Sequence, residues 1–236
     1  MFVNWKSNGT KYQAVQGYYK KENTKVNKTR IGEIKMKLII VRHGETEENL
    51  SGIVQGCSFG KLNKKGKSQI KKLAARLKKE KIGAIFSSDL ERCKQTTREI
   101  AKYHKAVPIH YTKTIRERSC GIFEGKPVEE LINHRQKLGI EKTEFRPEKG
   151  ENYSDVKERA KKFLEKIREK YKNKTVLIVS HGIFNKMLIS VITGKPIDEA
   201  ESIEQYNCCM NIIEISDRTH SIYALNSIEH LEAKEL

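Results

Sequence analysis

Two histidines stand where strands would end. In Lys37-Leu38-Ile39-Ile40-Val41-Arg42-His43-Gly44-Glu45-Thr46 a short β-branched apolar run stops at an arginine, a histidine and a glycine. The run is too short for a buried helix and reads as a central strand. The pattern returns far along the chain as Thr175-Val176-Leu177-Ile178-Val179-Ser180-His181-Gly182. Side by side, these strands would bring two imidazoles to one carboxyl edge of a sheet, where open α/β sheets hold their ligands. That is the skeleton of a catalytic site.

The neighbours make it an anion site. Arg42 carries a permanent charge and a fork of donors that matches phosphate oxygens, and Gly44 permits close backbone approach to a ligand. Arg92 falls in the first turn of a helix, where the dipole mildly disfavours a cation. A bound anion sharing that terminus would reverse the penalty; the plain alternative is a solvated surface arginine. Glu117, in Ile115-Arg116-Glu117-Arg118, is the best acid. Two flanking arginines would hold it ionised in an ion pair, or a nearby phosphate dianion would raise its pKa and let it donate a proton.

The elements that must position these groups follow in order. Asn63 caps a helix whose Ile70, Leu73, Ala74 and Leu77 share one face. A strand over 83–88 precedes a helix expected from Asp89 to about His104, with Ser88 and Glu91 as its capping box. Val107 to Tyr111 is a third strand, kept off the sheet centre by Pro108. Residues 114–151 read as loop with a short helix after Pro127, a long insert of the kind that forms a lid or substrate wall. Ser154 is expected to cap a helix carrying Val156, Ala160, Phe163, Leu164, Ile167 and Tyr171 on one face. The helix from Ile183 to Thr193 is apolar nearly all round, hence buried, and stops at Gly194. Strands over 211–215 and 221–225, about a turn at Asp217-Arg218, close the chain.

Composition narrows the class. The 236 residues suit one α/β domain over residues 36–236 with an appended segment over 1–35. That segment holds eight basic residues against Glu22 and Glu33, with weak apolar periodicity. It reads as a non-functional extension, disordered or upstream of the true start at Met36, and otherwise as a basic arm for an acidic partner. No run approaches the ~20 apolar residues of a membrane span, and no secretory leader is visible. Cys57, Cys93, Cys120, Cys208 and Cys209 form no C-x-x-C pair, so a reducing, cytoplasmic setting is expected. The net charge of +17 invites a nucleic-acid reading. The lysines are spread without interleaved aromatics, so a solvated surface explains them better, and the field would also concentrate small phosphorylated anions. No membrane partner and no specific nucleic acid are expected, and the oligomeric state is not legible.

Taken together, Arg42-His43-Gly44-Glu45-Thr46 with Asn49 and Gln55-Gly56 resembles the signature of the histidine phosphatase (phosphoglycerate mutase-like) superfamily. Ser87-Ser88-Asp89-Leu90-Glu91-Arg92 is similar to its second motif, and Arg116-Glu117-Arg118 through Gly121 and Glu124-Gly125 to its third. Gly150-Glu151-Asn152 and Val179-Ser180-His181-Gly182 complete the set in order, so the resemblance spans roughly 37–226.

The resemblance implies an α/β fold, a three-layer α/β/α sandwich whose central sheet is mostly parallel with an antiparallel edge strand. It implies His43 as nucleophile, forming a phosphohistidine, and Glu117 as proton donor and then base. Arg42, Arg92 and His181 would clasp the phosphoryl oxygens. Gly44, Glu45, Thr46, Asn49, Gln55, Gly56 and Gly182 would complete the substrate site. No metal or cofactor is implied. His43 must then be neutral and held through its other ring nitrogen.

Where the family often has Asp and Pro after Gln-Gly, this chain has Phe59 and Lys61, which bears on substrate preference. Mutases of the family usually carry a longer basic insert between acid and second histidine; here 63 residues lie between Glu117 and His181. The expectation is therefore a phosphomonoester hydrolase for a small phosphorylated metabolite. A bisphosphoglycerate-dependent mutase is the runner-up, and a basic nucleic-acid module the non-enzymatic alternative. Lys126, Arg135, Lys142 and Arg146 are candidates for a second anionic group, or a solvated face.

Overall fold

The structure, a computed structural model, describes residues 35–58, 60–217 and 219–232. The basic segment, Phe59 and the Arg218 half of the expected turn lie outside the described residues, save Lys35, which opens the first strand. In chain order the described elements are β1 (Lys35–Arg42), α1 (Glu47–Leu50), α2 (Lys64–Leu77), β2 (Ile82–Ser88), α3 (Glu91–Ala101), β3 (Ile109–Thr112), α4 (Val128–Lys137), α5 (Tyr153–Lys170), β4 (Thr175–Ser180), α6 (Gly182–Thr193), α7 (Ile197–Glu201), β5 (Met210–Ser216), β6 (His220–Ser227) and α8 (Glu229–Glu232).

The strands form one sheet in the order β3-β2-β4-β1-β5-β6. β1 pairs with β4 in parallel, β4 with β2 and β2 with β3 likewise, while β5 runs antiparallel to β1 and β6 returns outside it. The mostly parallel sheet with its antiparallel edge is thus the architecture the resemblance implies. β3 lies at the opposite edge, where Pro108 costs no ladder bond.

Alternation along β1 and β4 builds the three layers. Leu38, Ile40, Val176 and Ile178 face one core with α5 and α6, through Val156, Phe163, Ile167, Phe184, Met187 and Leu188. Ile39, Val41, Leu177 and Val179 face the other with α2 and α3, through Ile70, Leu73, Leu77, Cys93 and Ile100. Strands buried on both faces read as unbroken apolar runs, which is why both were visible in the sequence. A smaller cluster, Val54, Cys120, Phe123 and Phe145, underlies the insert and its helix α4.

Two caps differ from the sequence expectation. α3 starts at Glu91, with Leu90 at the N-cap and no side-chain cap bond. Ser88 instead ends β2, accepting Leu90 N–H at 3.3 Å, and its hydroxyl meets His181. α5 is capped by Asn152, which forms a reciprocal pair with Asp155, rather than by Ser154. Asn and Ser cap about equally well, so composition could not choose between them. The other two boundaries hold: Asn63 accepts Gly66 N–H at 2.7 Å, and Gly194 ends α6 in the left-handed region at φ 71°.

Candidate active site

The site lies at the carboxyl ends of β1 and β4. Arg42 stands opposite Ser180 in the parallel register, so the next residue of each strand is a histidine. His43 N–H donates to Ser180 C=O at 3.0 Å, and the two imidazoles meet edge to face with centroids 5.2 Å apart. Both are buried.

His43 Nδ1 lies 2.8 Å from Gly44 C=O, an acceptor, so Nδ1 carries the proton. Nε2 then presents a lone pair and has no hydrogen-bond partner among the described residues. Burial holds the His43 pKa well below its ordinary value, and the Arg92 and Arg42 charges push it lower, against the Gly44 carbonyl. The imidazole is neutral near pH 7. A Cβ on Gly44 would come within 2.8 Å of Gly66 C=O and of Ile70, so only glycine lets this loop lie against α2.

Arg92 is 1% exposed, which removes the surface-arginine alternative. Its guanidinium donates to Gly56 C=O at 2.7 Å, Ser58 C=O at 3.0 Å and His181 Nδ1 at 3.3 Å. Arg42 donates to Gln205 C=O at 2.6 Å, while its buried Nε has no partner among the described residues. A Cβ on Gly182 would lie 3.6 Å from Glu117 Oε2 and 3.7 Å from Arg42 Nε, so these groups flank the first residue of α6.

Glu117 does not pair with the arginines beside it. Arg116 forms a bidentate pair with Asp89, both contacts at 2.6 Å, and Arg118 donates to the carbonyls of Phe145 and Glu151. The Glu117 carboxylate instead accepts the N–H groups of Ile183, Phe184 and Arg118 at 3.1, 3.2 and 2.9 Å. The start of α6 thus seats the acid as well as His181. Arg159, bidentate to Glu151, donates to the carbonyls of Thr114, Arg116 and Glu117 and braces that loop.

The remaining expected residues divide. Asn49 has its Oδ1 occupied by Thr46 N–H at 3.3 Å and Asn207 Nδ2 at 3.2 Å, and its amide donors have no partner among the described residues. Gly56 (φ 51°) supplies a carbonyl to Arg92 and sits where a Cβ would meet Glu124 Oε1 at 2.2 Å. Gln55 is buried with its Oε1 unpartnered among the described residues. Thr46 caps α1, and Glu45 binds Asn63 and Lys65 at 2.8 and 2.7 Å, tying the loop to α2. These two fix the frame of the site.

Several supporting groups have roles the sequence did not disclose. Gln205 holds Arg42, Asn207 donates to His43 C=O at 3.1 Å, and Ser88 meets His181. Glu124 Oε1 accepts Cys57 N–H, Cys120 N–H and the Ser119 hydroxyl, joining two loops of the site. The motifs of the resemblance contain Ser88 and Glu124 but pointed to neither of these roles. The cysteines are packing groups: burial pushes the Cys93 and Cys209 thiols up to about 12. No three His, Cys, Asp or Glu side chains converge as a metal site among the described residues, and none of their helices is long and apolar enough to cross a membrane.

Residues 38–228 match the histidine phosphatase superfamily (branch 1). Phosphoserine phosphatase 1 of Hydrogenobacter thermophilus is 33% identical over 202 residues, covering 83% of this chain and 94% of its own. The probable phosphoglycerate mutase GpmB of Shigella boydii is 30% identical over 210 residues, covering 85% and 97%. Among solved structures, Bacillus stearothermophilus YhfR superposes with a TM-score of 0.77 at 27% identity, over 84% of this chain and all of that one.

Proposed function

This chain belongs to the histidine phosphatase superfamily, and on that premise we propose that it hydrolyses the phosphomonoester of a small metabolite through a phosphohistidine on His43. The observation that carries the reading is the state of His43. It is neutral, fixed through Nδ1 and left with a free Nε2 beside two arginines and a second histidine.

In this mechanism Nε2 attacks phosphorus as the ester P–O bond breaks. Glu117, protonated, gives its proton to the leaving oxygen. Arg42, Arg92 and His181 balance the charge that spreads over the equatorial oxygens. The Glu117 carboxylate then takes a proton from water, whose oxygen attacks phosphorus as the Nε2–P bond breaks, and inorganic phosphate leaves. The amide of Asn49 is an added donor for the phosphoryl group. Gly44, Gln55, Gly56 and Gly182 shape the surface against which it rests, while Glu45 and Thr46 hold the loop.

The relatives named above direct the substrate panel to phosphoserine and 3-phosphoglycerate, both small anionic phosphomonoesters. The same machinery serves a mutase, and the GpmB relative keeps that second reading in view. The short span between Glu117 and His181 favours hydrolysis. Rapid quench with ³²P-labelled substrate tests the proposal: acid-labile label on wild-type chain, none on His43→Ala, and phosphate release from the panel. Isomerisation of 3-phosphoglycerate without phosphate release would move the chain to the mutase reading.

A further inference from the structure

We propose that Ser88 is a positioning residue, whose hydroxyl fixes which nitrogen of His181 bears the proton and so which nitrogen meets the phosphoryl group. This rests on the reading of His181 as a phosphoryl ligand. Ser88 is the last residue of β2, fully buried, with Oγ 2.8 Å from His181 Nε2. On the far side of the ring, Arg92 Nε–H donates into Nδ1 at 3.3 Å. A guanidinium cannot accept, so Nδ1 is unprotonated, and the single proton of the neutral ring lies on Nε2 and is donated to Ser88. The one nearby competitor, Cys93 Sγ, is 3.4 Å from Nε2, a weaker acceptor, and is itself directed to Ser180 C=O at 3.4 Å.

The consequence appears when an anion arrives. Nδ1, on the Arg92 side, would then face an oxyanion with its own lone pair unless it takes up a proton. With Ser88 already accepting at Nε2, the ring becomes a donor at Nδ1 without turning, because a hydrogen bond to the charged form favours that form. The charged and titratable groups around it are Arg92 and Cys93 from α3, Arg42 at the end of β1 and His43 just past it, Arg159 from α5, and Glu117 from the loop before α4; the cations among them all resist protonation. The Glu117 carboxylate beside Gly182 favours it, yet with Glu117 in place the ligand-free ring stays below its ordinary value; the added negative charge comes with the ligand, so proton uptake is tied to phosphoryl binding. Without the hydroxyl, a buried Nε2–H is left unpaired and the ring is free to change tautomer or orientation.

Imidazole ¹⁵N–¹H spectra of the full chain, with His181 assigned through His181→Gln, test this without turnover. Ligand-free wild type is expected to hold the proton on Nε2, and addition of orthovanadate is expected to protonate both nitrogens. In Ser88→Ala the ligand-free ring is expected as a mixture of tautomers, with kcat about tenfold lower and KM little changed. Ser88→Thr, which keeps a hydroxyl, is expected to restore the Nε2–H form and most of kcat. If Ser88→Ala does not fold, Ser88→Thr and Ser88→Cys give the same comparison, with the thiol as the weaker acceptor. Protonation at Nδ1 in ligand-free wild type, or a Ser88→Ala ring and kcat within twofold of wild type, would overturn the inference. Failure to label His43 would instead count against the phosphohistidine reading, leaving the ligand-free tautomer as measured.

Discussion

At the scale of single residues, the site is an exercise in keeping two imidazoles uncharged among cations. Burial and the arginines hold both histidines below their ordinary values. A nucleophile already neutral well below pH 6.5 gives a kcat/KM profile whose acid limb lies under the ~6.5 of a free imidazole. A limb at or above that value, measured with phosphoserine, would mean that another group controls attack. Glu117 permits a sharper test. Three backbone N–H groups hold its carboxylate, and Glu117→Gln keeps one acceptor oxygen while losing the proton. The variant should lose about 10²–10⁴-fold in kcat on alkyl phosphates. On p-nitrophenyl phosphate, whose leaving group needs no proton, formation of the phosphohistidine should be largely spared. Equal losses on both in the rate of phosphohistidine formation, read by rapid quench, would assign Glu117 a placement role in that step.

Among the elements, α2 and α6 do the positioning, and each depends on a close approach. Gly66 lies in the first turn of α2, where alanine would ordinarily favour the helix by about 1 kcal/mol. A Cβ there would come within 2.0 Å of Glu45 C=O, which is backbone and cannot swing aside. Gly66→Ala should therefore destabilise the fold and lower kcat together, seen as a lower melting temperature. A rise in both stability and activity would show that the loop bearing His43 tolerates displacement. What the sequence disclosed follows from the same distinction. β1, β4 and α6 were legible because burial on all sides leaves an unbroken apolar record, and Asn63 and Gly194 because caps are local chemistry. Ser88 was misplaced as a cap because its partner, His181, is distant in sequence. Asn207, Gln205 and Arg159 were invisible for that reason too: each acts through a backbone carbonyl, and a carbonyl leaves no trace in residue type. Glu117 was ambiguous between its flanking arginines and a ligand, and the structure takes those arginines away to Asp89 and to backbone carbonyls.

The whole molecule carries the cost of burying those neutral rings. Two imidazoles with folded pKa values below the unfolded ~6.5 bind fewer protons when folded, so stability falls with acidification through and below that value. At pH 5.5 each contributes a loss of up to about 1.4 kcal/mol, and a chain of this size loses roughly 2–4 °C per kcal/mol. His230, lowered to about 4 chiefly by burial, adds to the same trend. The melting temperature should thus drop by several degrees between pH 7.5 and 5.5, and His181→Gln should flatten the slope. An oxyanion bound between Arg42, Arg92 and the histidines reverses the sign for the ring it touches, since it favours the charged form. Orthovanadate, binding only the folded chain, should raise the melting temperature at both pH values and more at pH 5.5. The net charge of +17 attracts the anion wherever it binds, so a general field effect would also stabilise Arg92→Ala. Stabilisation lost in that variant and kept in a surface Lys→Ala control, such as Lys64→Ala on α2, would assign the effect to the site; equal stabilisation of both would assign it to the field.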